Sequence, residues 1–184
     1  MRMKLRRVLM VALTVAAIGA VALPAVAQVL TLNGAGATFP FPLYSKWSQV
    51  YAGEKGVQIN YQSIGSGGGI RQFIARTVDF GASDGPMTDE QMAQAGGRVL
   101  HVPMVAGAVV PVYNVPGVPI GLDFTADVLA DIFLGKITKW NDPRLVKSNA
   151  QVTLPAADIV VVHRSDGSGT TAIWVNYLSK VSTE

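Results

Sequence analysis

Three glycine- and hydroxyl-rich segments each stand where an extended run gives way to a helical one, and they narrow the folds open to this chain. They are Gly36-Ala37-Thr38-Phe39-Pro40, Ile64-Gly65-Ser66-Gly67-Gly68-Gly69 and Asp166-Gly167-Ser168-Gly169-Thr170. Between them the apolar residues switch between helical and strand periods. Pro40 to Glu54 is predicted as a helix, with Leu43, Trp47, Val50 and Tyr51 on one face and Pro42 in the first turn. Val57 to Tyr61 alternates as a strand, the glycine loop Gly65 to Gly69 follows, and Ile70 to Ala75 returns to helical spacing. Asp79 to Ser83 is expected as a short buried strand, and Thr88 with Gln91 fits a capping box. Pro103 and Pro111 interrupt the apolar stretch Val99 to Tyr113, which is therefore expected as strands joined by a bend. A helix is predicted from Thr125 through Leu134, buried along Val128, Leu129, Ile132 and Phe133. Ile159 to Val162 is expected as a buried β-branched strand, followed by a helix over Thr170 to Val181. This order argues for α/β layers.

The first 27 residues have the composition of a cleaved export signal. Arg2, Lys4, Arg6 and Arg7 precede an apolar run from Val8 to Leu23, and Ala25-Val26-Ala27 supplies the small-x-small cleavage pattern. A lone membrane anchor would call for a longer run and a second positive flank. Four of the 15 Lys and Arg lie in this leader, leaving 11 against 12 Asp and Glu, so the basic balance of the whole chain does not indicate a nucleic-acid partner. Without cysteine the chain has neither disulfides nor a thiolate metal site. The ending at Ser182-Thr183-Glu184, directly after a predicted helix with no closing strand, is read as a truncation.

A helix N-terminus offers unpaired N–H groups and the positive end of a dipole, glycine lets backbone approach a ligand, and Ser or Thr adds a hydroxyl. One such turn is ordinarily a cap. Three of them, with Thr38, Ser66, Ser168 and Thr170 near helix starts, point to an oxyanion site. Arg164 ends the Ile-Val-Val-Val run at what would be a strand's carboxyl edge, where open α/β sheets place ligands. Asp166 could hold the Arg164 fork in place; the plainer alternative is a surface ion pair. Asp84, after Phe80-Gly81-Ala82-Ser83, is either a turn aspartate or an acceptor for the proton that phosphate retains near neutrality and sulfate lacks. The Asp79-Phe80-Gly81 match to a kinase magnesium motif has no accompanying kinase elements, and no Gly-x-x-x-x-Gly-Lys-Ser/Thr loop is present. His101 and His163 lack partners at metal spacing and are expected in packing roles, as are Trp47, Trp140 and Trp174. A secreted phosphatase using Ser168 or Asp84 as nucleophile lacks a metal cluster and a plausible base.

Five runs together resemble the phosphate-binding proteins of bacterial phosphate-specific ABC transporters. They are Gly34 to Pro40, Tyr61 to Gly69, Val78 to Asp84, Leu134 to Trp140 and Arg164 to Thr170. The resemblance implies a two-lobed periplasmic-binding-protein clamp of type II, here incomplete at the C-terminus, with residues 1–27 as signal peptide, 28–112 in a first lobe and 113–184 in a second. It implies a periplasmic, monomeric, non-enzymatic receptor that needs no cofactor and delivers inorganic phosphate to an inner-membrane permease. The implied ligands are Thr38, Phe39 through its backbone N–H, Ser66, Asp84, Arg164 oriented by Asp166, Ser168, Gly169 and Thr170. The extra glycine in Gly67-Gly68-Gly69 is expected to loosen the second loop. Family members are about twice as long, so a fragment with weak or absent binding is the alternative, beside the phosphatase and a scaffold reused as an adhesin.

Overall fold

A computed structural model describes residues 29–184, so the expected signal peptide lies outside the described residues. Three parallel strands, β1 (Thr31–Gly36), β2 (Gln58–Ser63) and β3 (Phe80–Ala82), form a sheet in the order β2-β1-β3. Helix α1 (Phe41–Lys55) connects β1 to β2, and α2 (Ser66–Ile74) connects β2 to β3. The crossovers carry the chain to opposite sides of β1, which puts a change of strand order at the carboxyl ends of β1 and β3. Residues Thr31–Glu184 form one compact unit.

The sheet is built around small residues. Tyr61, Gly34 and Phe80 share one register row, and the Tyr61 and Phe80 rings stack with centroids 6.1 Å apart. A Cβ on Gly34 would lie 2.1 Å from the Phe80 ring, so this row holds two aromatics only because its middle member has no side chain. Phe41 and Tyr44 of α1 pack on Tyr61 from the same side. On the other face, α2 lies so close to β1 that a Cβ on Gly69 would stand 2.5 Å from the Ala35 carbonyl oxygen. The glycine triplet is therefore not a loose loop as expected. It forms the first turn of α2, and buried Gly68 and Gly69 serve close packing against Ile64, Ala35 and Gly36.

Beyond the sheet, α3 (Asp89–Gln94) begins with the predicted capping box, Thr88 and Gln91 each bonding the other's backbone N–H. Helices α4 (Ala126–Phe133) and α5 (Pro143–Ser148) enclose a core of Leu122, Val128, Ile132, Ile137, Leu145 and Leu154, with Trp140 packed against it. Asn149 is wholly buried beside Leu145. Its amide donates to the Asp123 and Leu145 carbonyls and accepts from the Asp123 N–H, so this polar group is satisfied on both sides. Helix α6 (Gly169–Val181) closes the described structure and packs on α4, with Phe133 meeting Trp174 edge-on and Trp174 stacked on Tyr177.

Several sequence expectations are corrected here. Phe133 belongs to the exposed side of α4 rather than to its buried stripe. Helix α1 forms where predicted, yet Leu43, Trp47, Val50 and Tyr51 remain exposed, Trp47 among them instead of packing in a core. Val99 to Tyr113 contains no strand. Ile159 to Val162 is not a strand either: Val160 and Val162 are 80% and 86% exposed, and the nearest pairing is a single antiparallel bridge between Lys139 and Asp158. β-branched residues favour a strand only when a neighbouring strand supplies the ladder, and none among the described residues lies beside this run. No helix among the described residues is long and apolar enough to cross a membrane.

Candidate anion-binding site

The three loops picked out in the sequence meet at the carboxyl edge of the sheet. Thr38 lies two residues beyond β1, Ser66 three beyond β2 and Asp84 two beyond β3. The first loop is fixed from below. Ala37 donates its N–H to the Ala82 carbonyl at 2.9 Å, and its own carbonyl accepts from the Tyr61 hydroxyl at 2.7 Å. Burial raises the Tyr61 phenol above its ordinary pKa, helped by Tyr44 and the Asp84 charge, so it remains a neutral donor. Gly36 turns this corner at φ 146°, where a Cβ would stand 1.9 Å from the Ala82 carbonyl oxygen.

Buried Ser66 and half-buried Asp84 form a pair. The Ser66 hydroxyl donates to Asp84 Oδ1 at 2.9 Å and accepts from the Asp84 backbone N–H at 3.1 Å. Thr170, at the start of α6, donates its hydroxyl to the other oxygen, Asp84 Oδ2, at 3.2 Å. Each carboxylate oxygen thus receives one hydroxyl and keeps further acceptor capacity. Gly169 makes the approach possible, because a Cβ there would stand 2.2 Å from Ser66 Oγ and 2.5 Å from Asp84 Cγ. Ser168 caps α6, its buried hydroxyl oxygen accepting from the Thr171 N–H at 3.1 Å while its O–H can still donate.

Arg164 is held at both ends. Its Nε donates to Asp166 Oδ1 at 2.8 Å, Nη2 donates to Asp166 Oδ2, and Nη1 donates to Thr38 Oγ1 at 2.9 Å. The Asp166 hydrogen bonds hold the guanidinium above its ordinary pKa, with the Asp84 charge adding to the effect, and the same bonds pull the Asp166 carboxyl below its usual range. Arg164 reaches this place from an irregular segment, not from the predicted strand end. What carries it there is the tight turn in which Ser168 N–H donates to the Asp166 carbonyl at 2.7 Å.

Thr38, Ser66, Asp84, Arg164, Asp166, Ser168, Gly169 and Thr170 are therefore in one constellation. Phe39 borders it with its ring half-exposed against Gly107, and its backbone N–H has no hydrogen-bond partner among the described residues. The sequence reasoning did not identify Tyr61, whose support of the Ala37 carbonyl depends on a strand register that no local pattern reveals. His101 accepts from the Met87 N–H, and His163 bonds the Arg164 carbonyl. Among the described residues no group of three or more His, Cys, Asp or Glu is placed to hold a metal ion.

One fixed guanidinium, the first turns of helices α2 and α6, several hydroxyls and a single carboxylate acceptor suit a tetrahedral oxyanion that keeps a proton. Known proteins resemble this chain over most of its length. The phosphate-binding protein PstS of Pasteurella multocida is 57% identical over 158 residues, covering 85% of this chain and 45% of that protein. That of Haemophilus influenzae is 54% identical over 159 residues, covering 86% and 47%. The chain thus spans about half the length of the curated relatives it matches. Among solved structures, a phosphate ABC transporter substrate-binding protein with bound phosphate from Clostridium perfringens superposes with a TM-score of 0.58 at 24% identity, over 80% of this chain and 56% of that one. An ABC-type phosphate transport receptor from Vibrio cholerae does so at 0.50 and 16%, over 80% and 55%. These two likenesses speak for the fold. The family model described as a PBP superfamily domain matches residues 23–184, and the chain belongs to that superfamily.

Proposed function

We propose that this chain carries the phosphate-contacting part of an exported receptor that captures inorganic phosphate and presents it to an ABC-transporter permease. The observation that carries this reading is the setting of Asp84, an acceptor-only carboxylate held by Ser66 and Thr170 beside the Arg164 fork. An anion without a proton meets repulsion there, whereas a protonated phosphate oxygen donates to it. The remaining ligands are Thr38, the Phe39 N–H, Ser66, Arg164, Ser168, Gly169 and Thr170, with Asp166 orienting Arg164. Binding makes and breaks no covalent bond: Ser168 is engaged as a helix cap, and no base touches its hydroxyl among the described residues. Residues 28–112 contribute to a first lobe and 113–184 to a second, and the receptor works as a periplasmic monomer after removal of residues 1–27.

Calorimetry with phosphate and sulfate tests this. Phosphate should be preferred by about 10⁴-fold, the scale reached when a site is built to hydrogen-bond one group of its ligand. Asp84→Asn should remove most of that preference. Equal binding of the two anions by the unaltered chain would end the reading. Hydrolysis of a chromogenic phosphate ester that disappears in Ser168→Ala would replace it with an enzymatic one.

A further inference from the structure

Besides the side-chain contacts, the loop carrying Arg164 touches α2 backbone to backbone. The Gly67 N–H donates to the Gly167 carbonyl at 2.8 Å, across one hundred positions of sequence. A Cβ built on Gly67 would stand 3.1 Å from Gly167 Cα and 3.2 Å from its carbonyl oxygen. Built on Gly167, it would stand 3.1 Å from Gly67 Cα. Neither glycine has the positive φ found at Gly36 or Gly65. Backbone conformation therefore does not call for glycine at either place; the closeness of the two segments does.

Resting on the phosphate-binding reading, we propose that Gly67 and Gly167 are positioning residues forming a backbone seam that sets how closely Arg164 and Thr170 approach Thr38 and Asp84. The seam lies beside the two contacts it would govern, Arg164–Thr38 and Thr170–Asp84. Gly65, two residues before Gly67, is close enough that its Cβ would stand 2.7 Å from Asp166 Oδ2 and 3.1 Å from Arg164 Nη2. Gly169, two residues after Gly167, is pressed on Ser66 and Asp84. A methyl group at either seam position must push the segments apart by some tenths of an ångström, and Arg164–Thr38 and Thr170–Asp84 then lengthen together. Neither seam glycine needs to touch the anion for its replacement to weaken the grip.

Local helix physics predicts the opposite sign for one of these variants. Gly67 lies in the first turn of α2, where alanine is the better helix former, so in Gly67→Ala helix propensity should offset much of the strain and leave the stability of the fold without phosphate little changed. The seam predicts that the same variant releases phosphate about tenfold faster, because small displacements of positioned groups cost disproportionately. Gly167→Ala should match it, and valine at either position should go further. Gly53→Ala, in α1 with open space around it, serves as the helical control: it should stabilise the fold through helix propensity and leave phosphate release unchanged.

The experiment uses the full chain, measuring phosphate release by stopped flow and exchange of the Gly67 amide by NMR. Slow Gly67 exchange without ligand, faster exchange in Gly167→Ala, and faster phosphate release in both alanine variants are the expected results. A Gly67 amide that exchanges as fast as an unstructured one overturns the seam. Protection that is lost in Gly167→Ala with no change in release overturns its positioning role. If the unaltered chain binds no phosphate, the phosphate reading and the positioning role fall together, while amide exchange still decides whether the seam exists.

Discussion

The helical cluster around Leu145 and the sheet around Gly34 are held together by side chains at opposite ends of the size scale. In the cluster, six aliphatic residues and a buried asparagine fill the space between α4 and α5. In the sheet, Gly34, Ala35, Gly36 and Ala37 are the buried run, and the large residues lie over them or outside. The cluster relies on volume and tolerates some change of shape. The sheet relies on backbones coming close, which is what lets loops after three different strands and the start of α6 share one site. Stability and ligand geometry are thus written in different kinds of residue.

Removing volume from the cluster should have the largest effect. Leu145→Ala is expected to cost about 2–5 kcal/mol in urea unfolding, the range for emptying a closed core position. Adding a single methyl group to the sheet should come next. Gly36→Ala puts a Cβ onto the Ala82 carbonyl at a backbone angle that favours glycine, and about 1–3 kcal/mol of destabilisation is expected. Phosphate binding should fall in that variant even under conditions where it stays folded. Should Gly36→Ala prove harmless, the contrast between the regions would collapse.

The smallest effect concerns the ion pair at the site. The Asp166 carboxyl lies below its ordinary value of about 3.9 because Arg164 donates to it. A depressed folded value means that its contribution is present above the unfolded pKa and disappears as pH falls through the folded one. The pair is solvent-exposed, so the expected signature is an NMR titration midpoint below the ordinary value, moving back toward it in Arg164→Gln. A midpoint indifferent to Arg164 would remove the fork from the description of the site.

Local features could be read directly from sequence. The capping box at Thr88 and Gln91 and the extent of α1 need only neighbours three or four residues away. The site residues were legible for a related reason, since glycine and hydroxyl residues at helix starts carry their chemistry in their local order. Burial was less legible. The periodicity of α1 placed Trp47, Val50 and Tyr51 on one face, but only tertiary partners decide whether a face is covered. Val160 to Val162 has strand composition without a ladder to join. Gly67 to Gly69 read as a loop, whereas packing of Gly68 on Ile64 and of Gly69 on Ala35 and Gly36 accompanies their place in a helix. Tyr61 was missed because its role follows from register across the sheet, which local sequence does not express.

The double anchoring of Arg164 has a consequence in conformational entropy. A free arginine side chain carries about 2 kcal/mol of rotamer freedom, and fixing such a chain on association ordinarily costs about 0.5–1.5 kcal/mol. Here Asp166 and Thr38 have already restricted the fork at Nε, Nη1 and Nη2. Under the proposed function, an anion arriving at the guanidinium would meet a group whose ordering was completed when the chain folded, and what it gained from the charge-assisted bonds would be correspondingly less offset.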